Sequence, residues 1–296
     1  LSVNLAGLKV VMAGGDRREH VLLTALVEAG AAVTAVGYTR VPDAKGVRIG
    51  RSLPDAAAAA DAVIAPMSGT DGAGRIKAVP DPDVQLVLDR FVFAKMRPGT
   101  PLLIGIAQPL IRSLSQEFSI PVVELAEVDE IATLNSIPTA EGALQRAMEE
   151  LPVTIHGTCA AVLGFGRCGV TLARMLVGLG ARTHVVARNP GQLARAYELG
   201  AHPVPWERLP TVLPTCRLIF NTVPARVLDR VLLAQLDPES VIIDIASAPG
   251  GTDFEAARAL GIKAFLELGL PGRVAPQTAG EILARCVPPL LYKLCM

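Results

Sequence analysis

Short continuous apolar runs alternate along this chain with longer stretches whose apolar residues fall at helical spacing. In the first half the runs cover residues 8–13, 32–36, 61–66, 101–106 and 121–125; in the second, 159–163, 183–187, 218–221, 241–245 and 263–266. An uninterrupted apolar run marks a strand buried on both faces, as in a parallel sheet covered by helices. The alternation predicts an α/β protein with two doubly wound, Rossmann-like parallel-sheet domains joined by a helix. A further piece at 203–206 contains Pro203 and Pro205, which suits only an edge strand. The alanines at 56–60 read as helix by propensity.

Between the halves, Thr139 followed by a helical run to Glu150 predicts a connecting helix over 139–151, ended by Leu151-Pro152. The chain then divides into an N-terminal domain over 1–138, this connector and a second domain over 152–276. A last helical run from Thr278, expected to extend to Pro288-Pro289, returns within 277–296 to the first domain. The space between two such domains is the expected ligand site.

The run at 159–163 ends in Gly164-Phe165-Gly166-Arg167-Cys168-Gly169, and a helical stretch and a second strand follow. Gly-x-Gly-x-x-Gly between strand and helix is the fingerprint of dinucleotide binding. The first glycine permits the tight turn, the second admits the pyrophosphate, and the third lets helix and strand pack closely. The helix N-terminus adds free N–H groups and partial positive charge. The second strand ends Val186-Ala187-Arg188-Asn189, without the acid that grips the ribose hydroxyls of NAD. Arg188 suits a 2′-phosphate, so NADP is favoured, with NAD open. Gly14-Gly15 in the first half lacks the third glycine, so that domain is expected to serve substrate.

The chain has 296 residues, 28 basic and 28 acidic, with a 51% hydrophobic and only 4% aromatic composition. Zero net charge gives no basis for binding nucleic acid or an anionic membrane. No apolar run approaches the ~20 residues needed to cross a bilayer, and no export signal is evident, so a cytoplasmic location is expected. The cysteines at 159, 168, 216, 286 and 295 form no C-x-x-C pair and lack histidines at ligand spacing, so no metal site is expected. Cys168 sits where a helix N-terminus could lower its pKa, although a small loop-filling residue suffices to explain it.

Four further segments join the fingerprint in a family resemblance. Gly14-Gly15-Asp16-Arg17, Asn135-Ser136-Ile137-Pro138-Thr139-Ala140-Glu141-Gly142, the fingerprint and Asn221-Thr222-Val223-Pro224-Ala225, together with Leu270-Pro271-Gly272-Arg273-Val274-Ala275-Pro276-Gln277-Thr278-Ala279-Gly280, resemble the A subunits of dipicolinate synthases in order. Arg273 stands where that family suggests Lys, and Cys168 where it suggests a small residue such as Thr. The resemblance implies a nicotinamide-linked oxidation, shared with a flavoprotein-like B subunit, of a dihydrodipicolinate-level intermediate to pyridine-2,6-dicarboxylate. It implies an oligomer acting in the mother-cell cytoplasm during sporulation.

A dicarboxylate substrate calls for cations and N–H donors. Arg17 and Arg18 follow the first strand; Ser68 and Gly69 follow the third; Asn135 and Thr139 lie at the junction. Thr139 also reads as a helix cap, Arg17 and Arg18 as helix-start charge, and Ser68 as a turn. Thr222, Val223 and Pro224 are expected beside the nicotinamide, with 246–251 walling the same site. Asp16 and Glu141 are the weak candidates for proton acceptor. Two other readings stay open: a dinucleotide-sensing regulatory subunit without catalysis, and a shikimate-dehydrogenase-like NADP reductase, for which no convincing Lys–Asp pair is found.

Overall fold

The computed structural model describes residues 3–40 and 45–296. The chain divides into two compact units, one formed by residues 1–134 and 275–296, the other by Asn135–Val274.

The first unit holds a six-stranded sheet of β1 (Lys9–Ala13), β2 (Ala32–Val36), β3 (Arg48–Gly50), β4 (Ala62–Ile64), β5 (Leu102–Ile104) and β6 (Val122–Glu124), in the order β3-β2-β1-β4-β5-β6. The second holds β7 (Cys159–Leu163), β8 (Arg182–Ala187), β9 (His202–Pro205), β10 (Leu218–Asn221), β11 (Val241–Asp244) and β12 (Lys263–Leu266), in the order β12-β11-β10-β7-β8-β9. Every strand pair is parallel. Each sheet therefore reverses its strand order once, between β1 and β4 and between β7 and β10, where doubly wound folds open a crevice beyond the strand ends.

The apolar runs form these strands because both faces are buried. In β1, Val10 and Met12 enter one core while Val11 and Ala13 enter the other. In β7, Ala160 and Val162 face one way and Cys159, Ala161 and Leu163 the other. β9 is the edge strand its prolines predict. β3 adds a sixth strand to the first sheet; it is short, only partly buried and carries Arg48, so no apolar run announces it.

Two helix boundaries correct the sequence reading. The helix expected to start at Thr139 starts ten residues earlier, as Asp129–Glu150. Pro138 sits inside it, and Thr139 is mid-helix, its hydroxyl donating to the Asn135 carbonyl at 2.7 Å rather than capping a first turn. The final helix, Pro276–Cys295, likewise continues through Pro288 and Pro289. Proline costs a helix one hydrogen bond, and burial of neighbouring apolar residues offsets that loss. Ile282, Leu283, Cys286, Val287 and Leu291 pack into the core of the first unit with Leu22, Leu23 and Leu26 of the helix Arg17–Glu28. Gly280 permits the approach: a Cβ there would lie 2.7 Å from Val21 Cβ. Among the described residues, no helix is long and apolar enough to cross a membrane.

Candidate dinucleotide and substrate sites

The fingerprint turn follows β7 at the reversal point of the second sheet. Gly164 adopts φ +89°, open to glycine, and a Cβ there would meet Thr222 Oγ1 at 2.5 Å. A Cβ on Gly169 would overlap the Gly164 carbonyl oxygen, so helix and strand touch as the motif requires. Gly166 has nothing within 4 Å of its Cβ position. The helix Arg167–Gly178 starts there with no side-chain cap. Open space lies before this uncapped helix N-terminus, and these residues fit the pyrophosphate of a dinucleotide.

The other loop residues divide into walls and supports. Phe165 is buried in the core and its carbonyl accepts from Gln192 Nε2 at 3.1 Å, so it anchors the turn. Arg167 is exposed beside the turn. Cys168 is half-buried, and burial pushes its thiol up, with Arg167 pulling weakly the other way; the lowering considered from its helix position does not occur. Thr222 donates to the Leu163 carbonyl at 2.9 Å, tying the ends of β7 and β10 under the turn, while Val223 packs against Gly164 and Pro224 is exposed. Asn189 caps the helix Pro190–Glu198, its side chain accepting from Gly191 N at 2.7 Å and Gln192 N at 3.3 Å. Arg188 is exposed, with its guanidinium over the Trp206 ring at 4.9 Å.

Asp244, missed from sequence, ends β11 wholly buried and accepts from Ala246 N (3.1 Å), Gly251 N (2.8 Å) and Thr252 Oγ1 (2.7 Å). It thereby fixes the 246–252 loop, whose Gly251 lies against Asn221 Nδ2 and the Val223 carbonyl. An acid at a strand end is a common sequence feature, and its three donors come from residues it can select only once the loop has folded back.

In the long helix, Ser136 Oγ lies 2.6 Å from Thr171 Oγ1, joining it to the fingerprint helix. Asn135 Oδ1, one residue earlier, is buried and has no hydrogen-bond partner among the described residues. Glu141 is exposed and lines a surface hollow with Leu144, Met148, Met175 and Leu179. The last two residues belong to the C-terminal end of the fingerprint helix, so Glu141 is not brought to the glycine turn.

The first unit has the same reversal point, but its own chain fills the space. Gly15 N donates to the Ala78 carbonyl at 2.8 Å, Asp81 N donates to the Gly37 carbonyl at 3.1 Å, and Val79 and Leu86 crowd Gly37. Gly14-Gly15 therefore packs against the segment that begins at Ile76. Asp16 caps the helix Arg17–Glu28 in a capping box with Glu19 and is clamped by Arg18 through Nη2–Oδ2 and Nε–Oδ1 contacts of 2.7 and 3.0 Å. Burial opposes ionisation of Asp16, but the Arg18 hydrogen bonds and charge outweigh it and hold the carboxyl below its usual range. Arg18 is buried in that pair. The capping box pairs Asp16 with Glu19, and Arg18 is held by its ion pair to Asp16. Arg17 is exposed and makes no ion pair among the described residues. Gly69 N donates to the Pro66 carbonyl at 2.8 Å within a turn and offers no N–H to substrate. Ser68 Oγ and Thr70 Oγ1 are buried and have no hydrogen-bond partner among the described residues.

Glu19 is the group the sequence reading passed over, although Asp16-Arg17-Arg18-Glu19 is a legible capping box. It is 1% exposed and accepts from Asp16 N at 2.7 Å and Met67 N at 2.9 Å, joining the turns after β1 and β4. Burial, then repulsion from Asp16, raises its pKa from 4.5 to about 7. An acid that holds its proton more tightly when folded stabilises most below its unfolded value and loses that contribution as pH rises through its folded value. Stability should therefore fall between about pH 4.5 and 7, and Glu19→Gln should flatten that part of the curve. Urea unfolding of both proteins at several pH values checks this; parallel curves would rule it out.

Comparison with known proteins follows the same division. A family model for the N-terminal domain of the dipicolinate synthase A subunit matches residues 9–126. One described as the D-isomer specific 2-hydroxyacid dehydrogenase, NAD binding domain, matches residues 131–252, which makes the second unit a nicotinamide-dinucleotide-binding domain. The chain is 35% identical to the A subunit of dipicolinate synthase from Bacillus subtilis (strain 168) over 98% of both chains. The crystal structure of the dipicolinate synthase A subunit from Bacillus halodurans superposes with a TM-score of 0.93 at 38% identity, over 97% of this chain and 99% of that one. A transhydrogenase from Sinorhizobium meliloti, at TM-score 0.70 and 16% identity over 96% and 94% of the chains, shares the fold alone.

Proposed function

The chain belongs to the family of dipicolinate synthase A subunits, and from that premise we propose that it is an NADP-linked oxidoreductase that completes a pyridine-2,6-dicarboxylate from a dihydrodipicolinate-level precursor. The observation that carries this reading is the open, uncapped helix N-terminus at Gly166 behind a close-packed glycine turn. Bound there, the nicotinamide would accept the hydride that leaves the dihydropyridine ring.

The chain's own residues supply position. Backbone N–H groups from Arg167 onward would hold the pyrophosphate. Thr222 and Val223 support the glycine turn and would wall the nicotinamide half of the site, with the Asp244-braced loop behind them. In the first unit, Arg17 is the exposed cation that suits a substrate carboxylate. Gaining aromaticity drives loss of the hydride and a ring proton, so orientation can carry much of the rate. Asp16 is clamped, Glu19 is sealed from solvent and Glu141 faces its surface hollow. The proton therefore leaves to water or to a group on the flavoprotein-like B subunit, with which the chain assembles in the mother cell of a sporulating bacterium.

NADP preference rests on Arg188. Stacking on Trp206 restrains the guanidinium and reduces the side-chain entropy lost when it meets a 2′-phosphate. Arg188→Ala should weaken NADPH binding roughly 30- to 100-fold, about 2–3 kcal/mol for a charge-assisted contact, and leave NADH unchanged. Calorimetry with both nucleotides measures it, and an equal loss for the two would refute the assignment.

Turnover tests the whole reading. The purified chain, alone and with its B subunit, is given a dihydrodipicolinate-level substrate and NADP, and NADPH and dipicolinate are followed. Equal amounts of the two products are expected. Nucleotide binding with no turnover in either mixture would leave the chain a dinucleotide sensor.

A further inference from the structure

The end of the second sheet opposite the glycine turn carries a paired thiol site. Cys159 opens β7, and Cys216 lies two residues before β10. Arg217 N donates to the Cys159 carbonyl at 3.0 Å, which fixes the backbones side by side. The two sulfurs lie 3.3 Å apart, although 57 positions separate the residues in sequence. Both cysteines are buried, Cys159 at 7% exposure and Cys216 at 1%. Thr215 Oγ1 sits 3.8 Å from the first sulfur and 3.9 Å from the second, and Cys216 Sγ contacts the Val212 carbonyl at 3.5 Å. Among the described residues, no group of three or more His, Cys, Asp or Glu is arranged to hold a metal ion.

We propose that Cys159 and Cys216 form an oxidisable dithiol, a modification site at which a small hydroperoxide closes a disulfide between β7 and the segment entering β10. Closing to a bond of about 2.0 Å asks little movement of two sulfurs already in contact. Cys159 is the nearer to solvent and attacks first: its sulfur takes the terminal oxygen of hydrogen peroxide, the O–O bond breaks, water leaves, and a sulfenic acid remains. Cys216 then attacks that sulfur, the S–O bond breaks, and a second water carries off the hydroxyl and the remaining proton. Two thiols lose two electrons and two protons, and one peroxide becomes two waters.

The surroundings assign these roles consistently. The hydrogen bond with Cys216 draws the Cys159 thiol below its ordinary range, burial opposes this, and His184 and Thr215 add to the lowering. The same bond, with burial, pushes Cys216 up. His184 rests against His202 with ring centroids 5.2 Å apart, and Arg182 adds positive charge near Cys216. Burial pushes the thiols of Cys168, Cys286 and Cys295 up, and none of them has a second sulfur in contact among the described residues. The crosslink lies across the sheet from the nucleotide cradle, so it staples the domain without obstructing the site.

The test treats the reduced full chain with hydrogen peroxide, alkylates the remaining thiols and maps the digest by mass spectrometry without reductant. The expected product joins the peptides containing Cys159 and Cys216, lighter by two hydrogens, with the other three cysteines alkylated. The oxidised chain should unfold on the order of 10 °C higher than the reduced chain. Cys216→Ser should halt at a Cys159 sulfenic acid, trapped by dimedone. The unsubstituted chain is decisive by itself: Cys159 and Cys216 both alkylated after peroxide, or a crosslink involving another cysteine instead, overturns the proposal.

Discussion

A Gly169→Val variant is expected to lose dinucleotide binding outright. Any Cβ at this position collides with the Gly164 carbonyl group, and both partners are backbone, so the clash is relieved only by prying the helix Arg167–Gly178 off β7. Overpacking of this kind costs about 1–3 kcal/mol or more in stability. The larger effect falls on affinity, because the same displacement carries the N–H groups away from the pyrophosphate. Calorimetry with NADPH should give at least a 100-fold loss, about 2.7 kcal/mol. Gly166→Ala separates binding from folding. Its Cβ would enter open space at φ −81°, which alanine tolerates, so the unfolding midpoint should hold while the nucleotide is obstructed. Valine at 169 binding NADPH within a few-fold of the parent protein would remove the cradle as the basis of function.

Asp244→Ala should be the most damaging single change in the second unit outside the glycines. The carboxylate is buried and satisfies two backbone N–H groups and one hydroxyl. Removing it orphans all three, at about 1–3 kcal/mol per buried donor, partly recovered if water enters. A net loss of about 3–5 kcal/mol is expected, which lowers the unfolding midpoint by roughly 10 °C. The 246–252 loop braces the Asn221–Val223 segment, so nucleotide affinity should fall with stability. Asp244→Asn preserves the shape but offers one acceptor oxygen, and an intermediate loss is expected. A midpoint within about 2 °C of the parent for the alanine variant would show that the loop stands without this acid.

The two predictions differ in how far the sequence foretold them. The glycine turn is local in sequence: strand, three glycines and helix lie within a few residues, and the close approach of Gly169 to Gly164 is made inside the motif itself. The edge position of β9 was equally legible, because Pro203 and Pro205 cannot serve a central strand. Local signals also misled. Ile137-Pro138-Thr139 reads as a helix start, yet the helix runs through it, with the Thr139 hydroxyl turned back to the Asn135 carbonyl. Arg18 read as a candidate for substrate or as helix-start charge and Asp16 as a candidate proton acceptor, and the structure pairs the two with each other at the helix start.

By itself, then, the chain's apolar rhythm determined two parallel sheets with helices between their strands, and its glycine spacing determined which of them belongs to the nicotinamide-dinucleotide-binding domain. Only tertiary structure decided which polar groups remain available. Asp244 finds its donors two to eight residues on, Glu19 reaches Met67 from 48 positions away, and Cys159 meets Cys216 across 57. The physical reason is that backbone sterics and apolar periodicity act over a few neighbouring residues, whereas a buried polar group is defined by its partners, and folding alone brings those partners within hydrogen-bonding distance.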